Sequence, residues 1–197
     1  MRITTYYRLE DLYGKYGGYI STKELLNEGF SNRQIAILTE ENYLEKVCHG
    51  CYWMSQCGHK KPDDYKCIEV CLSDPRAVIA MKSACYYQGL MESEPDVLAV
   101  ATERTDRSVI KMKFPVERHY FSSSHFQYGI KKVETKFGKY NIYNIERSLC
   151  DMVRLKDATV IEVINHMEAQ TVQYERISGY GKLLKEMNIK NMIRGEN

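Results

Sequence analysis

Apolar and polar positions change their period twice along the chain. Tyr6, Leu9, Leu12, Tyr13 and Tyr16 recur at helical spacing, and Gly17-Gly18 ends that run. Ser21 with Glu24 three residues on is a reciprocal capping box, which starts a short helix with Leu25 and Leu26 on its apolar side. Gly29 stops it. Ser31 and Gln34 repeat the device, and Ile35, Ile37 and Leu38 follow as the apolar side of a second helix. Tyr43 to Cys48 and Cys51 to Met54 then read as two strands joined by His49-Gly50, a two-residue turn that needs glycine. Helix, glycine turn, helix and hairpin together predict a winged helix-turn-helix over residues 1–56, whose second helix can lie in a DNA major groove.

Residues 55–64 are polar, carry Gly58 and Pro62, and show no period. They set an expected linker at 57–64, between a domain of residues 1–56 and one of residues 65–197. In the second domain strands and helices alternate. Helices are expected from Tyr65 to the Asp74-Pro75 stop, over 82–89, 145–156 and 159–171, and within 177–191. Strands are expected at 77–79, 96–102, 108–113, 116–122, 130–137 and 139–144. The fold class is therefore α+β: an N-terminal winged helix-turn-helix followed by a mixed α/β C-terminal domain.

Composition narrows the classes. Apolar residues make up 44% and charged residues 27% of 197 positions, as in a soluble globular protein. No apolar run reaches the length of a membrane span, and the first residues lack the apolar core of a signal peptide. Seven cysteines, an odd number without a small-scaffold pattern, are expected as reduced thiols in a cytoplasm. The net charge of +2 hides an asymmetry. Residues 1–56 hold six Lys/Arg against seven Asp/Glu, whereas residues 104–139 hold nine against three. Lys111, Lys113, Arg118, Lys131, Lys132 and Lys136 of that basic stretch are candidate phosphate contacts; the alternative is a solvated strand face.

Asn, Gln and Arg are the side chains that pair with base edges in a major groove. Ser31, Asn32, Arg33 and Gln34 on the first turn of the second helix are therefore the expected DNA-contacting set, with Lys46 and His49 of the hairpin. Two other chemistries have matching residues. Cys48, His49, Cys51, Cys57, His59, Cys67 and Cys71 include thiolate spacings suited to zinc. The hairpin turn and the apolar side of a helix account for the same cysteines, so no metal or cofactor is expected. Pro95-Asp96 with Glu134 and Lys136 resembles the PD…ExK pattern of metal-dependent nucleases, with the last two residues sharing a strand face. No hydrolase, P-loop or dinucleotide motif occurs, and the expectation is a non-enzyme.

The same residues carry a family likeness. Leu26, Gly29-Phe30-Ser31, Leu38, Leu44, Val47, Gly50 and Tyr52 resemble, in order, the N-terminal winged-helix domain of AbiEi-type antitoxins from type IV abortive-infection toxin–antitoxin systems. Ala77-Val78-Ile79 with Ser83-Ala84 and Gly89-Leu90 is similar to a later element of that family, and so is Ile145-Glu146-Arg147-Ser148-Leu149-Cys150-Asp151. The likeness spans most of residues 5–155. Cys48 and Cys51 depart from it, standing where apolar residues are common. It implies a transcriptional autorepressor that binds double-stranded operator DNA, with inverted repeats expected. It also implies a second domain that antagonises a nucleotidyltransferase toxin without forming a stable complex. Glu146, Arg147 and Asp151 are candidates for that antitoxin surface; the alternative is that Arg147 and Asp151, four apart, pair across one helical turn and orient the helix. The competing function is a free-standing winged-helix transcription factor whose second domain senses a ligand or dimerises.

Overall fold

The computed structural model describes residues 3–56, 58–160 and 162–163. The helices expected at 159–171 and 177–191 lie largely or wholly outside them. The described chain is mixed α and β and divides into two compact units. One comprises Met1–Pro75, Val109–Lys113 and Glu134–Tyr140; the other holds Arg76–Ser108, Phe114–Val133 and the residues from Asn141 onward.

In the first unit, α1 (Ile3–Tyr16), β1 (Tyr19–Ser21), α2 (Thr22–Asn27) and α3 (Asn32–Glu40) precede the hairpin of β2 (Leu44–Cys48) and β3 (Cys51–Met54). The three strands form an antiparallel sheet in the order β1-β3-β2. Both capping boxes form as the sequence dictates: Ser21 and Ser31 each accept from the backbone N–H three residues on, and Glu24 and Gln34 reach back to the cap. Leu9, Leu12, Ile20, Leu25, Phe30, Ile35, Leu38, Leu44 and Met54 form the core. Each large aliphatic side chain removed from water there contributes about 1.5–3 kcal/mol. Leu26, expected beside Leu25 on the apolar side, is instead 43% exposed. Adjacent helical residues point about 100° apart, and α2 turns its Leu25 side inward, which leaves Leu26 toward solvent.

The first compact unit continues through the expected linker at 57–64 to Pro75. The reason is α4 (Tyr65–Ser73), whose Glu69 is buried in the first unit. Glu69 accepts from the Tyr19 hydroxyl at 3.2 Å and pairs with Lys61 at 2.7 Å, and Lys61 also pairs with Glu45 of β2 at 3.0 Å. A carboxylate can be buried only with such partners. The segment 55–64, polar in sequence, thereby ties α4 to the sheet.

The remaining elements are β4 (Val78–Ile79), α5 (Met81–Tyr86), β5 (Leu98–Glu103), β6 (Val116–Phe121), α6 (Ser123–Phe126), β7 (Ile130–Thr135), β8 (Gly138–Tyr143) and α7 (Ile145–Arg154). Five strands run in the order β6-β5-β4-β8-β7. β5 pairs parallel with β6 and antiparallel with β4, and β4 pairs parallel with β8. β5 is buried over Leu98 to Thr102, as its continuous apolar run requires. α7 packs on this core through Leu149, Cys150 and Met152. The strand expected at 108–113 does not form; Val109–Lys113 belongs to the first unit as irregular chain. Among the described residues, no helix is long and apolar enough to cross a membrane.

Candidate nucleic-acid interface

Helix α3 is held from both ends. At its start the Gln34 Oε1 accepts the Ser31 N–H at 2.8 Å, while Ser31 Oγ accepts the Gln34 N–H at 3.2 Å. Just before it, the Arg8 guanidinium of α1 sits 4.9 Å above the Phe30 ring and donates to the Glu28 carbonyl. At its end the Tyr6 hydroxyl donates to Glu41 at 2.6 Å, and the Tyr6 ring meets Tyr43 with centroids 4.6 Å apart. That hydrogen bond pushes the Tyr6 hydroxyl up to about 12. The helix is thus fixed by caps and by α1, which leaves its first turn to face outward.

Ser31, Asn32 and Arg33 are exposed there and Gln34 is half-buried. Gln34 is committed to the cap through its oxygen, so only its Nε2 donors remain for a ligand. Arg33 has no carboxylate partner among the described residues. Lys46 and His49 are exposed on the hairpin, whose turn is fixed by Gly50 at φ +71° and by the Thr22 N–H, which donates to the Gly50 carbonyl at 2.8 Å.

The basic stretch is divided between the two units. Lys111 comes to the hairpin turn: with Cys48, His49, Leu72, Ser73 and Val109 it lines a cavity of 410 Å³. Lys113 is engaged with Glu45 at 2.9 Å. Lys136 lies in the turn between β7 and β8, 4.8 Å from the Phe137 ring. Arg118 is largely buried, its Nε donating to Thr102 Oγ1 at 2.7 Å. Lys131 and Lys132 are exposed on β7, and as strand neighbours they point to opposite faces.

Two further expectations are corrected by burial and backbone. Glu146, Arg147 and Asp151 cannot form an antitoxin surface, because all three are buried. The pairing of Arg147 with Asp151 across one turn does occur. Lys136 leaves the strand face it was expected to share with Glu134, since β7 ends at Thr135. Among the described residues, no group of three or more His, Cys, Asp or Glu is placed to hold a metal.

Cys48 and Cys51 form a pair that sequence spacing alone left ambiguous. They face each other across the hairpin register. The Cys51 thiol donates to Cys48 and draws the Cys48 thiol below its ordinary range, while that same bond and burial push Cys51 up.

Comparison with protein-family models and with curated proteins finds no match. Among solved structures, the fold is similar to the crystal structure of the RV2827C protein from Mycobacterium tuberculosis. The two share 13% sequence identity at a TM-score of 0.66, over 92% of this chain and 72% of that one, a likeness of fold alone.

Proposed function

We propose that the first unit is a winged helix that binds double-stranded DNA, with α3 entering the major groove and the β2–β3 hairpin as the wing. The observation that carries this reading is the exposed, capped first turn of α3, a turn with no acidic residue of its own, where Asn32 and Arg33 stand at the position from which groove contacts are made. The element order and the β1-β3-β2 sheet support it. The unit is close to neutral, with 13 Lys/Arg against 12 Asp/Glu, so affinity has to come from specific contacts and from basic residues elsewhere, Lys131 and Lys132 among them. The likeness to AbiEi-type antitoxins extends the reading: a cytoplasmic, non-catalytic autorepressor of a type IV toxin–antitoxin pair that counters a nucleotidyltransferase toxin without a stable complex.

Fluorescence anisotropy with the DNA immediately upstream of its own gene tests the first part. Saturable binding that survives excess non-specific duplex supports it; equal affinity for all duplexes sinks the operator reading. Co-expression with a candidate toxin and measurement of growth tests the second part.

A ligand-sensing transcription factor is the second reading, favoured by a cavity of 460 Å³ in the second unit with three arginines among its lining residues.

A further inference from the structure

That cavity lies at the end of β5, where the chain turns through Arg104 to Ser108 beside Arg118 and Tyr120 of β6. Its floor is rigid. Arg118 donates to Thr102 Oγ1 and to both the carbonyl and the hydroxyl of Ser108, and it pairs with Asp106 at 3.4 Å. Asp106 is itself buried; it pairs with Arg76 at 3.1 Å and accepts the Ser108 N–H at 2.7 Å. One buried carboxylate therefore serves two guanidinium groups. Arg104 and Arg107 line the same cavity, exposed, with no carboxylate partner among the described residues. On one side the Arg118 guanidinium stacks 5.1 Å from the Tyr120 ring, and that ring is 52% exposed.

An excess of guanidinium groups beside an open aromatic ring has a definite chemical complement. Arginine forks match phosphoryl oxygens, and a phosphomonoester carries nearly the two negative charges that Arg104 and Arg107 leave unanswered. A base stacks on an exposed tyrosine whatever its identity. The volume lies within the range of about 300–1,000 Å³ usual for small-ligand sites. We propose that this cavity binds a nucleoside monophosphate, its phosphoryl group held by Arg104 and Arg107 and its base laid on Tyr120. The proposal gives the ligand-sensing reading a ligand class, yet it is tested without DNA, so its failure and that of DNA binding are separable.

The test is isothermal titration of the full chain with AMP and UMP, and with adenosine and inorganic phosphate as controls. AMP and UMP should bind alike, and adenosine and phosphate each about tenfold more weakly or worse, since a charged hydrogen bond or a stacked base is worth at least about that factor. The double variant Arg104→Ala/Arg107→Ala should lose about tenfold in AMP affinity at an unchanged melting temperature, because both side chains are exposed. Tyr120→Ala should weaken AMP and leave phosphate unchanged. Absence of AMP binding at millimolar concentration, or unaltered AMP affinity in the double variant, overturns the proposal. Equal affinity for phosphate and AMP reduces the cavity to a simple anion site and overturns it too. So does a double variant that loses affinity for duplex DNA alone.

Discussion

Arg147 and Asp151 meet at 2.7 Å across one turn of α7 with neither side chain exposed. The arginine is enclosed on every side. Its Nη1 donates to the carbonyls of His125 at 2.6 Å and Tyr128 at 3.1 Å, and its guanidinium lies 5.1 Å from the Phe121 ring and 4.6 Å from that of Tyr143. Nη2 is buried with no acceptor among the described residues. The pair thus pins α7 to the segment that carries His125 and Tyr128, and it does so in a medium where an uncompensated charge is costly. Arg147→Ala would leave the buried Asp151 carboxylate to its longer contact with Arg154 at 3.4 Å and should cost about 3 kcal/mol, read as a lowered midpoint in urea denaturation. A variant as stable as the parent would mean that the pair is dispensable to the fold. In a toxin-rescue assay, any loss of rescue should arrive together with loss of stability.

Gly18 is a second point where the fold leaves no room. Its φ is +95°, and a Cβ placed there would lie 2.3 Å from the Trp53 ring. Gly18→Ala should destabilise the chain by about 1–3 kcal/mol from the backbone alone, with overpacking against Trp53 added. Near-UV circular dichroism of the single tryptophan should report the displacement.

Arg33→Ala should weaken binding to the cognate operator by about 1–3 kcal/mol and relax the preference at one base position. The melting temperature should not move, because the side chain is exposed. Anisotropy titrations on the operator and on single-base variants measure both effects; full affinity in the variant would remove Arg33 from the interface.

Lys131→Ala/Lys132→Ala tests the contribution of the basic strand. If both lysines neutralise DNA phosphates, the slope of log affinity against log salt should fall by about 2, whatever the sequence bound. Since the two side chains point to opposite faces, a fall of about 1 would assign the contact to one of them. An unchanged slope would place both away from DNA.

The cysteine pair makes a pH prediction. A thiolate at Cys48 is stabilised by the hydrogen bond from Cys51, so Cys48 should alkylate with a midpoint below that of an ordinary thiol. Cys51→Ala, which removes that donor, should raise the midpoint. Cys85, pushed up to about 12 by burial, should stay inert over the same range. Mass spectrometry after timed iodoacetamide treatment distinguishes the sites.

Much of the first unit was legible because its signals are local. A capping box needs only residues three apart, a hairpin turn only its glycine, and a helix stripe only its own spacing, so Ser21, Ser31, Gly50 and the Leu9–Leu12 stripe behave as their neighbours in sequence dictate. The same locality made Asn32 and Arg33 identifiable as exposed, since the stripe of Ile35 and Leu38 already assigns the buried side. The i,i+4 spacing of Arg147 and Asp151 likewise guaranteed that they could meet.

Burial of polar groups was decided elsewhere. Nothing within α7 says that the turn carrying Arg147 is roofed by Phe121, Tyr143 and the carbonyls of residues 125 and 128; those partners come from β6, β8 and the end of α6, and only their convergence makes an enclosed arginine tolerable. The polar segment 55–64 read as a linker because its attachment runs through ion pairs of Lys61 with Glu45 and Glu69, at a range no periodicity records. The basic stretch divides into an engaged Lys113, a largely buried Arg118 and an exposed pair of arginines for the same reason. Local sequence determines what a backbone segment becomes and which side of it is apolar, whereas the dielectric around each charge is set by segments distant in the chain.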